Sequence, residues 1–104
     1  MGRIVANVHV LLSDVPTLRL RLYVAGVAPN SLRAIANTRA ICARHFADHV
    51  LEIVDLMIEP DRALADRVIV TPTLIKLSPP PEARLIGDLG DAVKLLTTLS
   101  GVPA

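Results

Sequence analysis

The run "TLRLRLYVA" (17–25) passes directly into "GVAPNS" (26–31), and this junction restricts the possible folds more than any other stretch of the chain. Leu18, Leu20, Leu22 and Val24 alternate with Arg19, Arg21 and Tyr23, the period of a strand whose two faces differ in chemistry. Pro29 then fixes the approach to a helix, and Asn30 or Ser31 can accept the orphan N–H groups of its first turn. A helix is expected over 30–46, with Leu32, Ile35, Cys42 and Phe46 along one stripe and Arg33, Arg39 and Arg44 off it.

Further along, "VLEIVDLM" (50–57) reads as a strand covered on both faces, since only Glu52 and Asp55 interrupt its apolar run. Pro60 can open a short helix over 60–68, because proline's missing N–H costs nothing there. "IVTPTLIKL" (69–77) is β-branched and strand-like. "SPPPEA" (78–83) is a stiff connection, and "RLIG" (84–87) is a last short strand. Asp88 and Asp91 suit the positive end of a helix over 88–99. The expected order is strand, helix, strand, helix, strand, strand, helix, an α/β domain of the pattern βαβαββα.

A chain of 104 residues makes one domain around one core. Eleven Lys and Arg against ten Asp and Glu leave a net charge of +1 without a basic block, which argues against nucleic acid as the partner. Apolar residues make up 52%, and the mean hydropathy of +0.51 is high for so small a domain. Some of that surface is expected to meet a second copy, giving a dimer or tetramer. No apolar run approaches the ~20 residues of a membrane span, so no membrane partner is expected. "RIVANVHVLL" (3–12) lacks a small-x-small cleavage site and alternates Ile4, Ala6, Val8, Val10 and Leu12 on one face. Residues 1–15 are therefore read as an N-terminal extension with the pattern of an extra strand, and 16–104 as the domain proper. The lone Cys42 fits a reducing, cytoplasmic setting.

A strand, a glycine and a proline-capped helix form the place where thioredoxins carry two redox cysteines. Here those positions hold Ala28 and Ser31. Disulfide exchange needs an attacking and a resolving thiol, so dithiol chemistry is excluded. Thr71-Pro72-Thr73, just before a strand, fits the cis proline of such domains, against the plainer reading of a proline opening an edge strand. Cys42 falls on the apolar stripe of its helix and reads as core. His45 and His49 share a helical spacing with Asp48 between them, but no third ligand is evident, and placement at a helix C-terminus explains the pair without a metal. No glycine-rich phosphate loop, acid–base pair or nucleophile triad is present, and no cofactor is expected.

"LRLYVAGVAPNSLRAI", "VLEIVDLMIEP" and "TPTLIKLSPPPEARLIGDL", in this spacing, resemble the KaiB family of small bacterial clock proteins from about residue 18 to 96. The resemblance implies a non-enzymatic protein that binds a KaiC-like ATPase, with a sensor histidine kinase or another clock regulator as a further partner. It implies a thioredoxin-like fold in the binding-competent state and a ground-state fold with a rearranged C-terminal half in the resting oligomer. Arg33, Arg67 and Arg84 match basic positions of the family's contact surface, against the plain reading of solvated arginines. Pro72, Pro79, Pro80, Pro81, Gly87 and Asp88 flank the segment that would rearrange. Glu52 departs from the family, which often has a basic residue there, and Ala92, Val93, Thr97 and Thr98 depart from its more charged final helix. The alternatives are a self-associating stress-response or signalling adaptor without a KaiC partner, and a redox enzyme, which fails on thiol count.

Overall fold

A computed structural model of the chain describes residues 17–101, and β1 (Leu18–Val24) lies between two other strands because it can be covered on both sides. Helix α1 (Pro29–His45) carries the chain to β2 (His49–Asp55), which pairs parallel with β1 from Leu18 opposite His49 to Val24 opposite Asp55. The single turn α2 (Arg62–Ala65) precedes the hairpin of β3 (Thr73–Ser78) and β4 (Ala83–Ile86), and α3 (Ala92–Ser100) follows. The sheet order is β2-β1-β3-β4, with β3 antiparallel to both neighbours. This is the element order expected from the sequence.

The alternation in β1 divides the core. Leu18, Leu20, Leu22 and Val24 join Leu74, Leu85 and Leu89, and α1 and α3 close over them with Ala34, Cys42, Leu95 and Leu99. Each fully buried leucine there contributes roughly 1.5–3 kcal/mol of hydrophobic stabilisation. The opposite face is thinner. Tyr23, Val54 and Ile75 form a small cluster against Leu56, Val68 and Leu77, beneath the segment that contains α2.

Several boundaries differ from expectation for identifiable reasons. Helix α1 starts at Pro29 with Ala28 as N-cap and no side-chain cap bond. The Asn30 side-chain oxygen accepts instead from Arg33, and Ser31 Oγ accepts from the Ala25 amide at 3.0 Å, tying the helix back to the preceding turn. The buried face of α1 is Ser31, Ala34, Thr38 and Cys42, small residues that let it lie close to the sheet, and Leu32 is exposed. Strand β2 is an edge strand with only Val54 buried, not one covered on both faces. Residues 69–72 stay outside β3. Thr71–Pro72 is cis, and Thr73 Oγ1 donates to the Val70 carbonyl at 2.6 Å. Helix α3 begins only after Asp91, whose carboxylate accepts from the Lys94 amide at 3.0 Å, so Asp88 belongs to the loop before it. The helix stops at Gly101, whose φ of 72° is left-handed. The Lys76 side chain, buried beneath, brings its ammonium to this negative helix end, 3.5 Å from where a Cβ on Gly101 would lie. The expected strand over 3–12 lies outside the described residues.

Candidate functional site

The turn between β1 and α1 is fixed by hydrogen bonds. Asp55, at the end of β2, accepts from the Gly26 and Met57 amides, each at 2.9 Å, while Gly26 takes a φ of 55°. Ala28 thus stands at the N-cap and Ser31 in the first turn of a firmly held helix, with no sulfur at either position. Cys42 is fully buried beneath α1, and burial pushes its thiol upward in pKa, away from the reactive thiolate. Cys42→Ser is expected to lower stability by about 1 kcal/mol, through a hydroxyl placed among aliphatic side chains, and to leave partner binding unchanged. Thermal unfolding followed by circular dichroism, with a binding isotherm, checks both.

The second sheet face carries a charge network that sequence reasoning missed. Arg21 Nε donates to Glu52 Oε1 at 2.7 Å and its Nη1 to Asp66 Oδ2 at 2.8 Å. Arg62 Nη1 donates to Glu52 Oε2 at 2.8 Å. The Tyr23 hydroxyl donates to Asp66 at 2.5 Å and also lies 3.2 Å from the Arg62 carbonyl. Hydrogen bonds from Arg62 and then Arg21 pull the Glu52 carboxyl down to about 2. Those from Tyr23 and then Arg21 hold Asp66 below the usual range. Burial first, then the bond to Asp66, raises Tyr23. The parallel register of β1 and β2 sets Arg21 directly opposite Glu52, a pairing visible only once the strands are aligned.

Arg67 and Arg84 come together on this same face. Arg67 follows α2 with a left-handed φ of 54° and is exposed. Arg84, on β4, reaches across so that its Nη1 lies 3.4 Å from the Arg67 carbonyl. Between them runs a shallow groove lined by Val68, Ile69, Val70, Thr73 and Ile86. Ile69 is 94% exposed and Ile86 68%, an unusual outlay of aliphatic surface beside two guanidinium groups. Arg33 stands apart on α1, across the sheet, held by the Asn30 side chain and by Asp88 at 3.6 Å.

The residues expected to flank a rearrangement gather at two places. Pro72 is buried, and its carbonyl accepts from the Gly87 amide at 3.0 Å; Gly87 has a φ of 108°, and the Asp88 carbonyl accepts from Asn37 at 2.9 Å. Pro79, Pro80 and Pro81 form the β3–β4 turn, with cis bonds at Ser78–Pro79 and Pro80–Pro81. His45 ends α1 and His49 opens β2, bonded to the Phe46 carbonyl at 2.6 Å, so the shared helix face is not formed. Among the described residues no group of three or more His, Cys, Asp or Glu could hold a metal ion. Nor is any of their helices long and apolar enough to cross a membrane.

Known proteins sharpen this picture. The KaiB domain model matches residues 21–100. The circadian clock protein KaiB3 of Synechocystis sp. strain PCC 6803 is 43% identical over 91 residues, covering 86% of this chain and 89% of its own. The circadian clock oscillator protein KaiB of Prochlorococcus marinus strain MIT 9312 is 44% identical over 84 residues, 80% of each chain. Among solved structures, the N-terminal domain of Synechococcus elongatus SasA superposes with a TM-score of 0.68 at 26% identity, over 86% of this chain and 90% of that one. The thioredoxin Deadhead of Drosophila melanogaster gives 0.68 at 14% identity, over 94% and 91%, a likeness of fold alone. The fold is thioredoxin-like, and by sequence the chain belongs to the KaiB family.

Proposed function

We propose that this chain is a non-enzymatic regulator that binds a KaiC-like ATPase in a circadian clock or a simpler timing system. The observation that carries the reading is the convergence of Arg67 and Arg84 on an exposed aliphatic groove, in a chain whose relatives are named as circadian clock proteins. Electrostatic complementarity steers and orients such contacts, while desolvated aliphatic side chains supply affinity. Arg21 and Arg62 are paired at 2.7–2.8 Å with Glu52 and Asp66, whereas Arg84 meets a carboxylate only at 4.0 Å, so Arg84 and its neighbour Arg67 keep more of their charge for a partner. Arg33, already paired with Asp88, contributes less.

Titration of the purified chain against the ATPase ring of its own organism tests this. Arg67→Glu and Arg84→Glu are each expected to weaken binding about tenfold, with a faster off-rate, and Arg33→Glu by less. Parent-like affinity in both Arg67→Glu and Arg84→Glu moves the contact elsewhere. In this reading Pro72, Gly87, Asp88 and the run Pro79–Pro81 bound a segment that refolds between a resting oligomer and the ATPase-bound state. Two sets of slowly exchanging NMR signals for residues beyond 52 would support that.

The exposed Leu64, Ile69 and Ile86 favour one further reading, self-association into a dimer or tetramer as an adaptor without an ATPase partner. Light scattering across micromolar concentrations separates them: oligomers with no response to the ATPase support the adaptor, and a monomer that binds the ring excludes it.

A further inference from the structure

Strand β4 is one of the two edges of the sheet, opposite β2: among the described residues it pairs only with β3. On this edge Arg84 and Ile86, two residues apart, point to the same face, opposite Ile75 and Thr73 of β3. Edges of this kind are commonly blunted by charge, proline or shortness; here the prolines stop at Pro81, before the four residues of β4 begin, and the one charge on the strand is Arg84, which a carboxylate on a partner would neutralise. Ile69 and Val70 line the groove beside this edge together with Arg67, whose carbonyl lies 3.4 Å from Arg84 Nη1. The nearest carboxylate to the Arg84 guanidinium is Glu82 at 4.0 Å, at the outer limit of an ion pair, and Arg67 has no carboxylate within that distance among the described residues.

We propose that β4 accepts an added strand from a partner, an extended segment with a carboxylate and a branched aliphatic residue two positions apart. Backbone pairing along the open edge supplies the attachment, and the side chains on one face of the added strand supply the selection. Directly opposite neighbours on adjacent strands meet at about 5 Å. A carboxylate facing Arg84 therefore comes within reach of Arg67 as well, and an aliphatic side chain two residues along covers Ile86 and Ile69. A basic residue at the first position would meet two guanidinium groups; a polar one at the second would leave Ile69 and Ile86 in water. The inference concerns the same face as the proposed ATPase contact, but it specifies the segment recognised and not the protein that carries it.

The test uses the full chain, labelled with nitrogen-15, and blocked peptides with threonine at alternate positions. One pair of peptides carries glutamate and isoleucine two residues apart in either order; a second pair carries glutamine in place of glutamate; a third is N-methylated on alternate amides. The glutamate peptides should shift the amides of residues 67–70 and 83–86 saturably below ~1 mM. The glutamine peptides should bind at least tenfold more weakly, and the methylated ones not at all. Ile86→Asp and Arg67→Glu, both at exposed positions, should each abolish the response while the remaining spectrum shows an intact fold. Shifts centred on another face, equal binding of glutamate and glutamine peptides, or no response to either order overturns the proposal. Peptide binding without ATPase binding leaves this inference standing and removes the ATPase reading; ATPase binding without peptide binding does the reverse.

Discussion

Glu52→Lys is expected to destabilise the fold by about 1–3 kcal/mol, far more than a half-exposed strand residue ordinarily would. The Glu52 carboxylate is gripped from two elements, by Arg21 of β1 at 2.7 Å and by Arg62 of α2 at 2.8 Å. An ammonium there sets three cations side by side and frees the end of α2, a helix with no buried residue of its own. Glu52→Gln removes the charge and keeps the shape, and should cost about 1 kcal/mol or less, because these side chains are partly exposed and screened. Acid should act in the same sense. Glu52 titrates lower in the folded chain, at about 2, than when unfolded, and Asp66 is shifted in the same direction. Their contribution is therefore complete above the ordinary carboxylate range and is lost as pH falls toward about 2. The chain supplies its own reporter, since its one tyrosine is Tyr23, bonded to Asp66, and it has no tryptophan. Denaturant unfolding followed by tyrosine emission should show the Glu52→Lys loss at neutral pH, shrinking at pH 2. Equal stability of variant and parent at neutral pH would mean that the network holds nothing together.

That network also marks the limit of what the sequence made legible. The strand pattern of β1 could be read because leucines and arginines alternate without interruption, and the same period assigned the two faces correctly. The element order followed from Pro29, Pro60, Pro72 and Gly87, each of which acts locally. What escaped depends on distance in space. Asp66 lies 45 residues from Arg21 and 43 from Tyr23, and no local rule brings them together. Asn30 looked like a cap because capping is judged from nearest neighbours, yet Arg33 takes its oxygen, and Ser31 serves the turn before the helix. Strand β2 looked doubly covered because Leu51, Ile53 and Val54 are apolar, but position in the sheet, not composition, decides which strand is an edge. Arg67 and Arg84 were legible as basic residues; their meeting over Ile69 and Ile86 was not, because it depends on the β3–β4 hairpin lying beside the α2 segment.

The double variant Ala28→Cys, Ser31→Cys is expected to gain a redox activity that the parent lacks. The two positions lie three apart, Ala28 at the N-cap of α1 and Ser31 in its first turn. The helix N-terminus favours a thiolate there, and a lowered thiol pKa is what makes such a pair reactive. Ala28 is exposed and the turn before it is held independently by Asp55, whereas Ser31 is buried, so the adjustment falls on the second position. The loss of the Ser31 hydroxyl, which accepts from the Ala25 amide, is expected to cost about 1 kcal/mol. Oxidised glutathione should convert the variant to an intramolecular disulfide, seen as the loss of two hydrogens in the intact mass. The reduced variant should accelerate the precipitation of insulin by dithiothreitol. The parent, whose single thiol is buried at Cys42, should do neither. A variant that folds yet stays reduced under these conditions would mean that the helix entrance has diverged in geometry as well as in its side chains. A variant that becomes an oxidoreductase would show that this frame supports the chemistry once two thiols are supplied.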